Sequence, residues 1–203
     1  MDCIVNLSVL RTDRKLAFDV STKGNYSMME AARINNIKRV INTGPHFQLV
    51  GQSYEEWDDN LNPEMPAQPG TRLYAISKYL GQEICKRYAD QFGIQLITLL
   101  YYNMRHHLDL TTPDFEPAEL HNDMTPFTTS WIDCGEAVRC AVDVSKERLA
   151  SNKETFFISP NIPHKKFNSE KTYKVLGWQP RYTLENLWNK KIVSSDGHKE
   201  DSY

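Results

Sequence analysis

Apolar positions along this chain alternate between strand-like runs and helical spacing. Cys3-Ile4-Val5-Asn6-Leu7 is a short β-branched run and predicts a buried strand. Between 14 and 34, Leu16, Val20, Met28, Met29, Ala31 and Ala32 recur at helical spacing, and Asn35-Asn36 closes that helix. Lys38 to Thr43 predicts a second strand, stopped at Gly44-Pro45. Residues 51–71 carry Pro63, Pro66, Pro69 and Gly70 among acidic residues and predict a long loop. The acidic stretch around Trp57 reads as a solvated loop or as a lid over a substrate. The strongest helix signal covers 72–92, with Gly93 as its stop. Ile94 to Tyr102 is a continuous apolar run, the mark of a strand covered on both faces. Residues 103–127 read as irregular. Ile132 to Leu149 predicts a helix, Glu154 to Ser159 a strand, Glu170 to Leu176 a short helix stopped by Gly177, and Leu184 to Trp188 another. Residues 194–203 are polar and predict a frayed end. Strands alternating with helices predict an α/β fold with a parallel sheet.

Composition narrows the function classes. A hydrophobic content of 40% with a mean hydropathy of -0.57 fits a globular chain. A formal charge of -2 gives no electrostatic case for binding nucleic acid or acidic membranes. No apolar run reaches the length of a membrane span, and the first residues lack the pattern of a signal peptide, so a cytoplasmic protein is expected. Cys3, Cys85, Cys134 and Cys140 have neither metal-ligand nor redox spacing and read as reduced core thiols. His106-His107 lies near Asp109, but adjacent loop histidines point in different directions and no third ligand is spaced for them, so no metal site is expected.

Tyr74 and Lys78 carry the candidate chemistry. Four apart in a helical pattern, they share one helix face. An ammonium beside a phenol favours the phenolate, and that pair can move a proton at a hydroxyl or carbonyl. Taken alone, the spacing is also that of a solvated helix face.

The flanks resemble the extended short-chain dehydrogenase/reductase group, the NAD-dependent epimerase/dehydratase family. Cys3 to Val9 resembles its fourth strand, and Phe18 to Gly24 followed by Glu30-Ala31-Ala32 resembles its fourth helix. Ile37 to Ile41 resembles the fifth strand. Leu73 to Lys78 with Gly81 and Glu83 resembles the catalytic helix, and Thr98 to Asn103 the sixth strand. Trp131 to Ala137 and Leu176-Gly177-Trp178-Gln179-Pro180 resemble two later family segments. The resemblance covers roughly residues 2–190, with the Leu73-Tyr74 context nearest to uronate-dehydrogenase-like and uncharacterised bacterial members. It implies part of a Rossmann-type parallel sheet, from about the fourth strand onward, with a small C-terminal substrate lobe. Residues 1–103 would form the partial dinucleotide-binding domain. Residues 104–193 would form mainly substrate-lobe segments, with the helix near 132–149 packing back on the sheet, ahead of a flexible tail at 194–203.

The resemblance also implies roles. Tyr74 is the acid/base. Lys78 assists it and binds the nicotinamide ribose of NAD or NADP, and Thr43 joins the catalytic set. Asn6, Leu7 and Ser8 lie along the cofactor, and Tyr102, Asn103 and Met104 approach the nicotinamide. His46 is either a loop histidine or a substrate contact, and Arg105 can pair with an anionic group of a sugar or sugar-nucleotide substrate. The helix over 72–92 is a candidate homodimer surface.

Four departures qualify this. No glycine-rich pyrophosphate turn occurs in the sequence, and residues 3–8 would form an apolar sheet edge. The expectation is therefore a fragment, a truncated product, or a chain that pairs this edge with a partner, with weak NAD binding. Pro45 stands at the hydroxyl donor of the family's fifth strand, Ser21 at an asparagine that supports a proton relay, and Leu100 at an arginine. The expected function is an NAD(P)-dependent epimerase, dehydratase or dehydrogenase. The rival is a non-catalytic binding or interaction protein of the same descent.

Overall fold

The computed structural model describes residues 2–51, 60–114, 116, 124–125, 127–160 and 166–184. The acidic stretch around Trp57, the helix expected at Leu184 to Trp188 and the tail at 194–203 lie outside or run beyond these residues.

Four parallel strands form the main sheet in the order β1-β2-β3-β6: β1 (Cys3–Asn6), β2 (Arg39–Pro45), β3 (Gln95–Tyr101) and β6 (Lys153–Ile158). The pairing places Cys3 beside Arg39, Val40 beside Leu96 and Leu99 beside Phe156. All seven residues of β3 are buried, as a strand with helices on both faces requires. On one face lie α1 (Arg14–Ser21), α2 (Lys23–Ile34) and α4 (Leu73–Phe92). There Met29, Ala32, Cys85 and Ala89 pack with Val40 and Leu96. On the other face lies α5 (Trp131–Asp143), whose Ala137, Cys140 and Ala141 pack with Ile41, Leu99, Phe156 and Trp178. α3 (Phe47–Val50) is a single turn after β2.

Three expectations change. The helix expected over 14–34 is two helices. At Thr22 the backbone stays in the right-handed helical region but is distorted, with φ of -102° and ψ of -68°, and the hydroxyl donates to the Phe18 carbonyl at 2.7 Å, an acceptor it shares with its own backbone N–H. The segment 103–127 is not wholly irregular: β4 (Asn103–Arg105) pairs in parallel with β5 (Thr128–Ser130) in a second small sheet. Three residues are too few to show a period, and the partner strand lies more than twenty positions on. The helix expected to reach Leu149 ends at Asp143, where Val144 turns extended. Val144 and Leu149 continue the apolar pattern because both still bury in the same core.

Two contacts tie the late segments down. Asp133 is fully buried and accepts from the backbone N–H groups of Arg181 and Tyr182 at 2.8 and 3.2 Å and from the Ser130 hydroxyl at 2.8 Å. Its carbonyl accepts from the Trp178 indole at 2.9 Å. Lys171 bridges Glu64 and the buried Glu154, beside the backbone bridge of Leu61 to Phe167. The cysteines are all unpaired, with Cys85, Cys134 and Cys140 buried and Cys3 half-buried. Burial pushes the Cys85 and Cys134 thiols up to about 12.

Candidate active site

The C-terminal ends of β1, β2 and β3 open into a cavity of about 430 Å³, where ligands sit in open parallel sheets. Tyr74 and Lys78 reach it from the first two turns of α4, one turn apart on the same face. Leu7 and Ser8 follow β1 into its wall, Thr43, Gly44 and Pro45 end β2 there, and Tyr102 and Met104 follow β3.

Lys78 is only 5% exposed, and its ammonium donates to the Ser8 carbonyl at 2.7 Å. That bond pins the segment after β1 to α4. Burial first, then the nearby Arg11 charge, lowers the lysine to about 8. The Tyr74 ring meets Phe47 edge-on at 5.5 Å, and the Arg11 guanidinium lies 4.9 Å from its centre.

Not every expected residue reaches the cavity. Thr43 lines it, but its hydroxyl donates to the Asn6 carbonyl at 2.8 Å, across the β1–β2 pair. The Asn6 side chain faces a buried polar chain instead. It donates to Asn25 and Asn42 at 2.8 Å each, Asn42 donates to Gln82 at 2.7 Å, and Gln82 donates to Thr98. His46 does not line the cavity. It is 5% exposed, stacks on Tyr102 at 4.4 Å, and has Nδ1 3.3 Å from the Tyr101 carbonyl oxygen. Burial lowers it to about 4, which suits a neutral ring in an aromatic cluster with Phe47 and Phe167. Arg105 and Asn103 pair with Ser130 and Thr128 in the small sheet, and neither lines the cavity. Pro45, without a donor, lines it.

Other lining residues escaped the sequence reading. Arg11 precedes α1 and Phe47 opens the single turn of α3, stretches too short to show a period. Trp131, Cys134, Gly135 and Val138 present one face of α5 at spacings of three and four, so the face was legible but not what it opposes. Ser21 lies buried behind the site, where its carbonyl accepts from Asn25 at 2.6 Å. Among the described residues no group of three His, Cys, Asp or Glu side chains could hold a metal, and no helix is long and apolar enough to cross a membrane.

Comparison with known proteins follows the same lines. The model of the NAD dependent epimerase/dehydratase family matches residues 2–105. A uronate dehydrogenase of Agrobacterium fabrum (strain C58 / ATCC 33970) is 29% identical over 96 residues, which are 45% of this chain and 34% of that protein. The solved uronate dehydrogenase from Agrobacterium tumefaciens superposes with a TM-score of 0.67 at 18% identity, over 92% of this chain and 63% of that one. A UDP-glucuronic acid 4-epimerase from Bacillus cereus, solved in complex with NAD, gives 0.67 at 16% identity, over 91% of this chain and 71% of that one. At these identities the structural likeness establishes the fold. The match to the curated uronate dehydrogenase spans about a third of that protein's length.

Proposed function

Because this chain belongs to the NAD-dependent epimerase/dehydratase family, we propose that it is an NAD(P)-dependent oxidoreductase or epimerase for a sugar or sugar-nucleotide substrate. The observation that carries the reading is the shared opening of Tyr74 and Lys78 into one cavity at the sheet's C-terminal end, with the Lys78 ammonium on the Ser8 carbonyl.

The described residues fit the nicotinamide end of such a cofactor. Ser8, Lys78, Tyr102 and Met104 offer a polar edge, an ammonium and flat or flexible apolar surface around one space. Bound nicotinamide supplies or accepts the hydride. The Tyr74 oxygen takes the proton from the substrate hydroxyl during oxidation and returns it during reduction. Lys78 has three donors, one of them held by Ser8, which leaves donors for a ribose hydroxyl. It is protonated below pH of about 8, where it carries a positive charge into the cavity that Tyr74 also lines. Pairing through α4, which exposes Leu73 and Leu80, would give a homodimer, and light scattering of the purified chain tests it.

One observation favours the rival, a non-catalytic binding protein: Pro45 occupies the wall where the family's fifth-strand hydroxyl donor would stand. Nicotinamide absorbance decides between the two. The purified chain is offered NAD or NADP with glucuronate, galacturonate and UDP-glucuronate. Turnover that falls about 10²–10⁴-fold in Tyr74→Phe supports the enzyme. Turnover unchanged by that substitution removes Tyr74 from the chemistry, and none with any of these substrates favours the binding protein. Calorimetric titration with NAD and NADP measures the cofactor separately. Micromolar binding would show that a glycine-rich turn is not required here.

A further inference from the structure

Beside the Tyr74 cavity lies a second one of about 480 Å³, lined by Leu10, Arg11, Arg14, Ala17 and the segment Thr71 to Tyr74. Arg11 and Tyr74 belong to both walls, so the two spaces adjoin at the phenol. Three arginines from two separate segments, 11–14 and 71–74, converge on this mouth.

Their pairing differs from that of several helix cations. Lys15, Arg33, Lys86 and Arg139 are each held by a carboxylate on their own helix. No carboxylate among the described residues forms an ion pair with Arg11, Arg14 or Arg72. The nearest acid in sequence, Asp13, is turned to cap α1, where it accepts from the Leu16 N–H at 2.7 Å. Lys78 adds a fourth cation within electrostatic reach of Arg11. A chain with a formal charge of -2 thus gathers uncompensated positive charge at one opening.

The geometry points to an oxyanion subsite: Arg11, Arg14 and Arg72 hold a phosphate or carboxylate of the ligand whose reacting hydroxyl meets Tyr74. Guanidinium groups bind either oxyanion through paired N–H donors. Arg11 is the hinge of the arrangement, since it faces Tyr74 with its guanidinium and lines both spaces. This deepens the proposed function and rests on it for the ligand's sugar part, but the arginine site is testable by binding alone.

The experiment titrates the purified full chain calorimetrically with glucose 1-phosphate, glucuronate and glucose, at low and high salt. One or both anionic sugars should bind at least tenfold more tightly than glucose, and whichever binds identifies the oxyanion. That preference should weaken with salt, survive Tyr74→Phe, and fall at least tenfold in Arg11→Gln/Arg72→Gln. Arg72→Lys should retain more of it than Arg72→Gln, and circular dichroism checks that each variant is folded. Equal binding of all three sugars, or an anion preference untouched in the folded double variant, overturns the subsite. Arginine-dependent binding without turnover upholds the subsite while the proposed reaction fails.

Discussion

Gly81 decides how closely α4 can approach its neighbours, and substituting it tests the placement of the candidate site. It lies in the third turn of α4, facing α1 and α2. A Cβ at this position would fall more than an ångström inside contact with the Ser21 carbonyl oxygen and would also crowd the Asn25 side-chain nitrogen. Two effects of opposite sign compete. Replacing a mid-helix glycine by alanine stabilises a helix by up to about 1 kcal/mol when the space is open. Forcing a methyl into a closed contact costs about 1–3 kcal/mol. Here the obstacle is backbone, which cannot swing aside, and Asn25 also anchors Asn6. Losing one such buried hydrogen bond costs about 1 kcal/mol more. The net expectation for Gly81→Ala is a loss of about 2–3 kcal/mol, read as a lower urea midpoint. Gly135→Ala is the matched control: a Cβ there meets nothing within 4 Å, so it should stabilise by about 0.5–1 kcal/mol. A Gly81→Ala protein as stable as the parent, or more so, would refute the close approach of α4 to α1 and, with it, the account of how Tyr74 and Lys78 are placed.

The remaining predictions concern charge and the late segments. Lys78 is lowered from 10.5 to about 8, so between those values the unfolded chain holds more protons and stability rises with pH, by up to roughly 3 kcal/mol. The burial cost is present in full below pH of about 8. Urea unfolding across this range should show the rise in the parent and not in Lys78→Met, and identical profiles would contradict the buried lysine. Asp133→Ala strips acceptors from the Arg181 and Tyr182 N–H groups and from the Ser130 hydroxyl, and should cost about 3 kcal/mol; a loss below 1 kcal/mol would mean that 178–182 does not depend on α5. His46→Phe keeps an aromatic ring in a buried cluster where the imidazole is neutral. Once turnover is measured, it should change less than threefold and keep its pH profile, whereas a loss of about tenfold or more would restore His46 as a substrate contact.

Local patterns carried much of the architecture. The unbroken apolar run of β3 announced burial on both faces, and Gly93 and Gly177 sit at φ of 65° and 72° where the helical periods stop. The spacing of Tyr74 and Lys78 survives folding because a helix converts four positions into one face. What the sequence hid shares a physical cause, namely partners remote along the chain. Asn6, Asn25, Asn42, Gln82 and Thr98 form one buried polar chain, yet each looks like an isolated polar residue until two helices and three strands meet. Arg105 and His46 mislead in the opposite direction. Each is near cavity-lining segments in sequence, but β4 pairing takes one and an aromatic stack takes the other.

The sequence by itself determined the succession of the four main-sheet strands and the helical stretches between them, the burial of β3 on both faces, and the face that presents Tyr74 with Lys78. Those features depend on short-range periodicity, which a linear pattern records. Only the tertiary structure decided which side chains border the cavity, which polar groups satisfy one another in the core, and that Arg11, Arg14 and Arg72 converge beside the phenol. Those outcomes depend on the crossing of elements far apart in the chain, where a single glycine or a buried amide sets the distance.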